Sequence, residues 1–272
     1  MTSELYEDDF AALARIDVLV GNLESATSRF NVAESGSELH EDDESTASPG
    51  YAGSVIASAM NAATCGLQGF QALCIGMEKL RRSTTFGYVH RAALLGACEA
   101  YWVLSPHDRN ERVHRANHAA LRLLNDELES KTDIQSMTKL FQDDRVVTDE
   151  ELVAIKDRRD SFSRAVGGKP ISLTRMFKEV AKDLVNEGSF QGADTEHFSQ
   201  VVRSQWRVSS ADAHGRIWQH RFNDPIAPDN DSDSPTPQRV ADMGLIISKA
   251  LTVAEIADQA RQLWEQRITR EP

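Results

Sequence analysis

Apolar residues recur at helical spacing along most of the chain. In the first predicted helix, about residues 5–30, apolar side chains at intervals of three and four form one stripe: Phe10, Leu13, Ile16, Val20 and Leu23. No segment alternates apolar and polar residues in the way that predicts a β-strand. Between residues 50 and 223 the only prolines are Pro106 and Pro170, and each lies where a helix can begin. The pattern predicts an all-α fold, in which residues 1–272 form one bundle of about eight to ten helices.

The predicted helix boundaries follow from capping residues and glycines. Thr148 is followed three residues later by Glu151, which is the spacing of a capping box, and Asp194 is a further N-cap candidate. Ser209 or Ser210 can begin another helix. After the first helix, the predicted helices cover about residues 51–82, 85–104, 107–128, 132–142, 148–167, 172–187, 194–207, 209–218 and 237–268.

The segment from Ala92 to Leu104 is almost wholly apolar, so we expect it to be among the most buried parts of the fold. Glu99 interrupts this segment. A buried carboxylate is costly unless it is ion-paired or hydrogen-bonded, so we expect Glu99 to have an arginine or hydroxyl partner on a neighbouring helix. Arg91 shares a helix face with Glu99 about 12 Å away. The alternative interpretation is that Glu99 orients a catalytic arginine.

Residues 45–77 contain no charged side chain, and a segment of this length can span a bilayer. Polar residues and glycines dilute it, however, so it predicts a buried helix rather than a membrane span. Small residues on that helix would form a flat face that lets a neighbouring helix approach closely: Ala57, Ala62, Gly66 and Gly69. Because the N-terminus has no secretory signal pattern and the cysteines are few, we expect a cytoplasmic protein with no membrane association.

The 272 residues include 30 lysines and arginines against 42 acidic residues, for a net charge of −12. Ten of the acidic residues lie in two stretches, residues 33–49 and 224–238, which contain no lysine or arginine. We therefore predict an acidic mobile loop over residues 31–50 and a proline- and aspartate-rich loop over residues 223–238. The rest of the chain is close to neutral, so the acidic balance does not exclude a polyanionic ligand.

The motifs of several enzyme and metal-binding classes are missing from the sequence. Three cysteines exclude a disulfide scaffold, and no Cys-x-x-Cys pair predicts a structural zinc site. Glu111, His114 and His118 share a helix face, but no second Glu-x-x-His completes a di-iron set. Nucleophile-elbow, phosphate-loop and dinucleotide-binding glycine motifs are also missing. We expect neither a metal nor another cofactor.

A basic stripe lies on the helix predicted after Pro106. Arg109, Arg112, Arg115 and His118 follow one another at intervals of three, so their side chains are nearly aligned. Guanidinium groups bind phosphate oxygens in a bidentate manner, and these four residues are candidates for substrate binding. The alternative is a solvated face whose arginines are paired with nearby acids and with the acidic loops.

The segment from Trp206 to Gly215 contains an arginine and a histidine, Arg207 and His214, with six residues between them. This spacing resembles the mark of the HEPN superfamily, helical bundles that include ribonuclease toxins, in which an arginine precedes a histidine by four to six residues. Two other pairs have permitted spacings, Arg109 with His114 and Arg112 with His118. Because the family places the pair on a late helix, Arg207 and His214 are preferred. The combination of Arg91 and Glu99-Ala-Tyr-Trp102 on one helix with the later Trp-Arg-x-Ser-Ser-x-x-His-Gly also resembles actinobacterial helical proteins of unknown function, mainly over residues 85–222.

The resemblance implies a metal-independent endoribonuclease, active as a toxin or in phage defence. His214 would act as general base on an RNA 2′-hydroxyl, and Arg207 would stabilise the charge on the scissile phosphate. Glu99 would assist as the orienting carboxylate. The resemblance also implies a homodimer, with RNA as substrate and a protein partner or antitoxin.

Two other functions remain open on the sequence alone. One is a non-catalytic helical module that binds or regulates a protein partner. The other is a small-molecule enzyme with a cavity lined by Glu99, Tyr101 or Trp102.

Overall fold

The structure of the protein, a computed structural model, describes residues 7–27, 33–75, 83–141, 147–186, 194–213 and 243–269. These residues form nine helices and no strand, which confirms the predicted all-α bundle. The helices are α1 (Glu7–Thr27), α2 (Glu38–Glu44), α3 (Tyr51–Ile75), α4 (Ser83–Leu104), α5 (Arg109–Phe141), α6 (Asp149–Ala165), α7 (Leu173–Asn186), α8 (Thr195–Ala213) and α9 (Met243–Ile268).

Helix α4 lies at the centre of the bundle, where it packs against α3, α8 and α9. From Ala93 to Leu104 every residue is buried except Leu95 and Glu99, which are partly buried. Tyr101 and Trp102 are among the largest fully buried side chains. The prediction that this segment is among the most buried is confirmed, because a helix packed on several sides must be apolar almost all round.

The predicted small-residue face of α3 is where α3 and α4 approach each other most closely. A Cβ atom added to Gly66 would lie 2.7 Å from the Cβ of Ala93, and one added to Gly69 would lie 3.0 Å from a Val89 methyl. On α4, Gly96 likewise leaves no room for a side chain, because an added Cβ atom would lie 2.7 Å from the backbone nitrogen of Ala63.

Among the helices of the described ranges, none combines the length and the apolar composition that a membrane span requires.

Local capping signals are found where the sequence predicts them. Thr148 and Glu151 form a reciprocal capping box at the start of α6, and Asp194 accepts a hydrogen bond from the His197 amide at the start of α8. The chain leaves α6 through Gly167 and Gly168, both with positive φ. Glycine adopts this conformation without the steric cost that a side chain would add.

Two predicted helix breaks are wrong. The break predicted between residues 128 and 132 is absent, because α5 runs without interruption from Arg109 to Phe141, and the Thr132 hydroxyl donates to the Leu128 carbonyl instead of capping a new helix. Helix α8 continues through Ser209 to Ala213. The Ser209 hydroxyl lies 2.7 Å from His90 Nδ1 of α4, so it is engaged between helices rather than at a cap. The predicted loop at 223–238 lies outside the described residues.

Candidate functional site

The acidic segment that precedes α3 contains helix α2, which packs on α5. Ser37 caps α2, and Asp42 is only 4% exposed. The Arg112 Nε donates to Asp42 Oδ2 at 2.6 Å, and a second guanidinium nitrogen donates to Asp42 Oδ1. The prediction of a mobile loop over residues 31–50 is therefore wrong for the described part of that segment. Its acids act as counter-charges for arginines, so the segment is ordered by ion pairs as well as by the buried Leu39.

The three arginines of the basic stripe all have partners within the fold. Arg109 donates to Glu41 at 2.9 Å, and Arg112 also donates to the carbonyl oxygens of Pro106 and His107. Arg115 is 8% exposed and its guanidinium lies over the Trp102 ring. It is ion-paired with two acids, Glu111 and Asp183, and it donates to the Trp102 carbonyl and the Ser105 hydroxyl. These contacts correspond to the alternative interpretation of the stripe, in which its arginines are salt-bridged, and they leave little of it available for a substrate.

Glu99 has the arginine partner that burial requires. Its carboxylate accepts from Arg122 Nη1 of α5 at 2.5 Å, and Arg122 Nη2 donates to the Ile171 carbonyl before α7. Burial raises the pKa of Glu99, and the Arg122 charge opposes that shift. The ion pair therefore joins α4, α5 and the start of α7. Arg91, the other candidate on the same face, instead lies near α8.

A polar cleft of about 560 Å³, which we call the α5–α7 cleft, lies between α5, the segment 166–172 and α7. His114 and His118 point into it with their Nε2 atoms 3.2 Å apart. The Ile171 amide donates to His118 Nδ1 at 3.2 Å. Four charged side chains also line the cleft: Glu111, Lys169, Arg175 and Glu179. Of the predicted substrate-binding residues, His118 alone lines this cleft.

No cluster of three or more histidine, cysteine, aspartate or glutamate side chains suited to a metal ion occurs within the described ranges. The hydrogen bonds of His118 also differ from those of a metal-binding histidine. A histidine that binds a metal ordinarily donates its second ring N–H to an acceptor. His118 Nδ1 instead faces the N–H of Ile171, so it must accept.

A second set of arginines includes Arg91 of α4, which packs on the Trp206 ring, and Arg203 and Arg207, which lie on α8 with Trp206. We call these four residues the α8 arginine surface. The Arg91 guanidinium lies 5.1 Å from the centre of the Trp206 ring, and Phe177 of α7 packs on the same ring at 5.2 Å. The buried Nε atoms of Arg91 and Arg203 have no hydrogen-bond partner. Arg207 is exposed. Within the part of the chain that the structure describes, none of the three arginines contacts an acidic side chain.

The structure thus separates the predicted substrate-binding arginines from the predicted catalytic arginine. Arg109, Arg112 and Arg115 are ion-paired, as is Glu99, whereas Arg207 has no acidic partner among the described residues. His214 follows the last residue of α8 and lies outside the described residues. The sequence analysis did not single out Arg203, whose buried Nε has no hydrogen-bond partner. Its position four residues before Arg207, on the same helix face, was the available signal.

Comparisons of the chain with known proteins give no relative: no protein-family model, no curated protein and no solved structure matches it.

Proposed function

We propose that this protein is a metal-independent endoribonuclease of the HEPN type, in which Arg207 and His214 act on RNA held at the α8 arginine surface. The observation that carries the proposal is the contrast between two sets of arginines. The arginines at the start of α5 contact acids of this chain, whereas Arg91, Arg203 and Arg207 contact none among the described residues. Three cations that have no counter-charge among the described residues favour an external anion.

The surface has the two chemical components of a single-stranded RNA site. Guanidinium groups bind phosphate oxygens in a bidentate manner, and Trp206 offers an aromatic ring near the same surface. Trp206 is only partly buried, so part of its ring remains available to a nucleobase. Two exposed lysines on the neighbouring helix α7, Lys178 and Lys182, add positive charge without an acidic partner in the described ranges.

In the proposed reaction His214 removes the proton from an RNA 2′-hydroxyl, and the resulting alkoxide attacks the adjacent phosphorus. The P–O5′ bond breaks and the leaving O5′ takes a proton from water, which leaves a 2′,3′-cyclic phosphate and a 5′-hydroxyl end, while His214 returns its proton to the solvent. Arg207 stabilises the negative charge that develops on the phosphate oxygens. Glu99 has no direct part in this scheme, because its carboxylate is paired with Arg122. A homodimer, a role as toxin or defence effector, and an antitoxin partner belong to the same proposal.

The test compares purified wild-type protein with Arg207→Ala and His214→Ala on total RNA and on defined single-stranded oligonucleotides. We expect each substitution to lower the cleavage rate by about 10²–10⁴, with circular dichroism unchanged. Chelator in the assay should leave cleavage unchanged. The matched controls are Arg109→Ala and His114→Ala, the second arginine–histidine pair of permitted spacing, which should retain activity.

Three results would move the assignment elsewhere. Loss of cleavage in His114→Ala with activity retained in His214→Ala would place the reaction in the α5–α7 cleft. A wild-type protein that binds single-stranded RNA, with weaker binding in Arg203→Ala, but never cleaves it would reduce the function to RNA binding. Absence of both binding and cleavage would favour the non-catalytic, protein-binding module.

A further inference from the structure

Two histidines of α5 line the α5–α7 cleft, and their contacts define which ring nitrogen carries the proton. The Ile171 amide donates to His118 Nδ1, so this nitrogen must present its lone pair. A neutral His118 therefore carries its proton on Nε2. The His118 Nε2 atom lies 3.2 Å from His114 Nε2, so the His114 nitrogen must accept this hydrogen bond. A neutral His114 therefore carries its proton on Nδ1.

This chain of hydrogen bonds exists only while both rings are neutral. A proton added to His114 would place an N–H on its Nε2, facing the N–H of His118. A proton added to His118 would place an N–H on its Nδ1, facing the N–H of Ile171. Each protonation therefore removes one hydrogen bond and sets two donors against each other.

The charges around the pair also oppose protonation. Burial is the largest cause that lowers the pKa of His118, to about 4, and the charge interactions with His114, Arg122 and Arg175 act in the same direction. Glu179 of α7 acts against them. The other charged groups that line the cleft are Glu111 of α5, which is paired with Arg115, and Lys169 of the segment before α7.

We propose that His114 and His118 form a proton-sensitive latch that, beside the Arg122 hydrogen bond to the Ile171 carbonyl, holds the segment 169–171 on α5 at neutral pH and loosens it in acid. The segment forms one wall of the cleft and leads directly into α7. Its release would widen the cleft and free the first turn of α7, which carries Arg175. The proposal concerns this chain alone and is independent of the assignment of a ribonuclease.

The sign of the pH dependence follows from proton linkage. An opened His118 regains a pKa near the ordinary 6.5, whereas the closed form has about 4. The open form therefore binds protons more strongly, and closure is fully favoured above about pH 6.5 and lost as the pH falls toward 4. Between pH 7.5 and pH 5.0 the equilibrium constant for opening should rise by about 30-fold.

The experiment measures amide hydrogen exchange of Ile171 by NMR, corrected for the intrinsic effect of pH, with the buried α4 amide of Ala97 as the reference for global unfolding. In the wild-type protein we expect Ile171 protection to fall by about 30-fold from pH 7.5 to pH 5.0 while Ala97 stays protected. His118→Asn keeps an oxygen acceptor near the position of Nδ1 but does not titrate, so its Ile171 protection should not change with pH. His118→Phe removes the acceptor and should expose Ile171 at both pH values.

The matched control is His107→Asn, an exposed histidine just before α5 that lies outside the latch and should behave like wild type. Histidine nitrogen spectra at pH 7.5 should show His118 protonated on Nε2 and His114 on Nδ1. A pH-independent protection of Ile171 in the wild-type protein, or a proton on His118 Nδ1, would overturn the proposal. So would stoichiometric Zn²⁺ binding that His114→Ala abolishes, because the pair would then be a metal site.

Discussion

Substitution of Gly96 by alanine tests whether the contact between α3 and α4 is limited by backbone rather than by side chains. A Cβ atom at Gly96 would lie 2.7 Å from the backbone nitrogen of Ala63 and would overlap the carbonyl oxygen of Ala59. Both atoms belong to α3, and a helix backbone cannot move aside as a flexible side chain can. The two helices must therefore separate for the methyl group to fit.

The expected change in the free energy of unfolding is the sum of two opposing effects, overpacking and helix propensity. Overpacking a dense core costs about 1–3 kcal/mol, and the backbone obstacle puts this site near the upper end of that range. Alanine stabilises a helix interior by about 1 kcal/mol relative to glycine. We therefore expect Gly96→Ala to lower the free energy of unfolding by about 2 kcal/mol.

Urea denaturation followed by circular dichroism measures this change, and Gly21→Ala is the matched control. Gly21 also lies within a helix, α1, but nothing lies within 4 Å of an added Cβ atom there. Gly21→Ala should raise the free energy of unfolding by about 0.8–1.0 kcal/mol through helix propensity. If Gly96→Ala proves as stable as wild type while Gly21→Ala is stabilised, the close backbone contact between α3 and α4 is not present in the protein.

Two further predictions concern the buried ion pairs. Arg122→Met leaves the partly buried Glu99 without its counter-charge and should cost about 3 kcal/mol at pH 8, the lower end of the range for a buried pair. Because the raised pKa of Glu99 lets the folded protein take up a proton more readily, this loss should shrink as the pH is lowered toward 5, and an unfolding series at both pH values checks it. Asp42→Asn removes the charge that faces Arg112 and should cost about 2 kcal/mol in the same assay. The exposed pair Arg15–Glu255 is the control, since Glu255→Gln should change stability by less than about 1 kcal/mol.

Local sequence determined where most helices lie. The capping box at Thr148, the cap at Asp194 and the glycines at 167 and 168 act on backbone groups a few residues away, so their effect can be predicted without knowledge of the fold. The apolar segment before Leu104 and the small residues of α3 likewise predicted a central helix with a close neighbour. These features need only helical periodicity and residue size.

Tertiary contacts decided the positions where local signals are ambiguous. A serine is compatible with a helix start or a helix interior, and Ser209 lies in the interior because His90 of another helix binds its hydroxyl. A run of acidic residues can form a solvated loop, or it can form ion pairs with arginines elsewhere in the fold. Asp42 is a counter-charge because the fold places Arg112, 70 residues later, against it.

The candidate site shows the same division. The sequence identified Arg207 by its spacing from His214 and equally identified Arg109 and Arg112, because a spacing rule contains no information about charge partners. Only the packed structure shows that the two α5 arginines contact acids of α2, whereas Arg207 lies exposed on α8. Residue type and periodicity are encoded along the chain, but the pairing of charges depends on which distant segments the fold brings together.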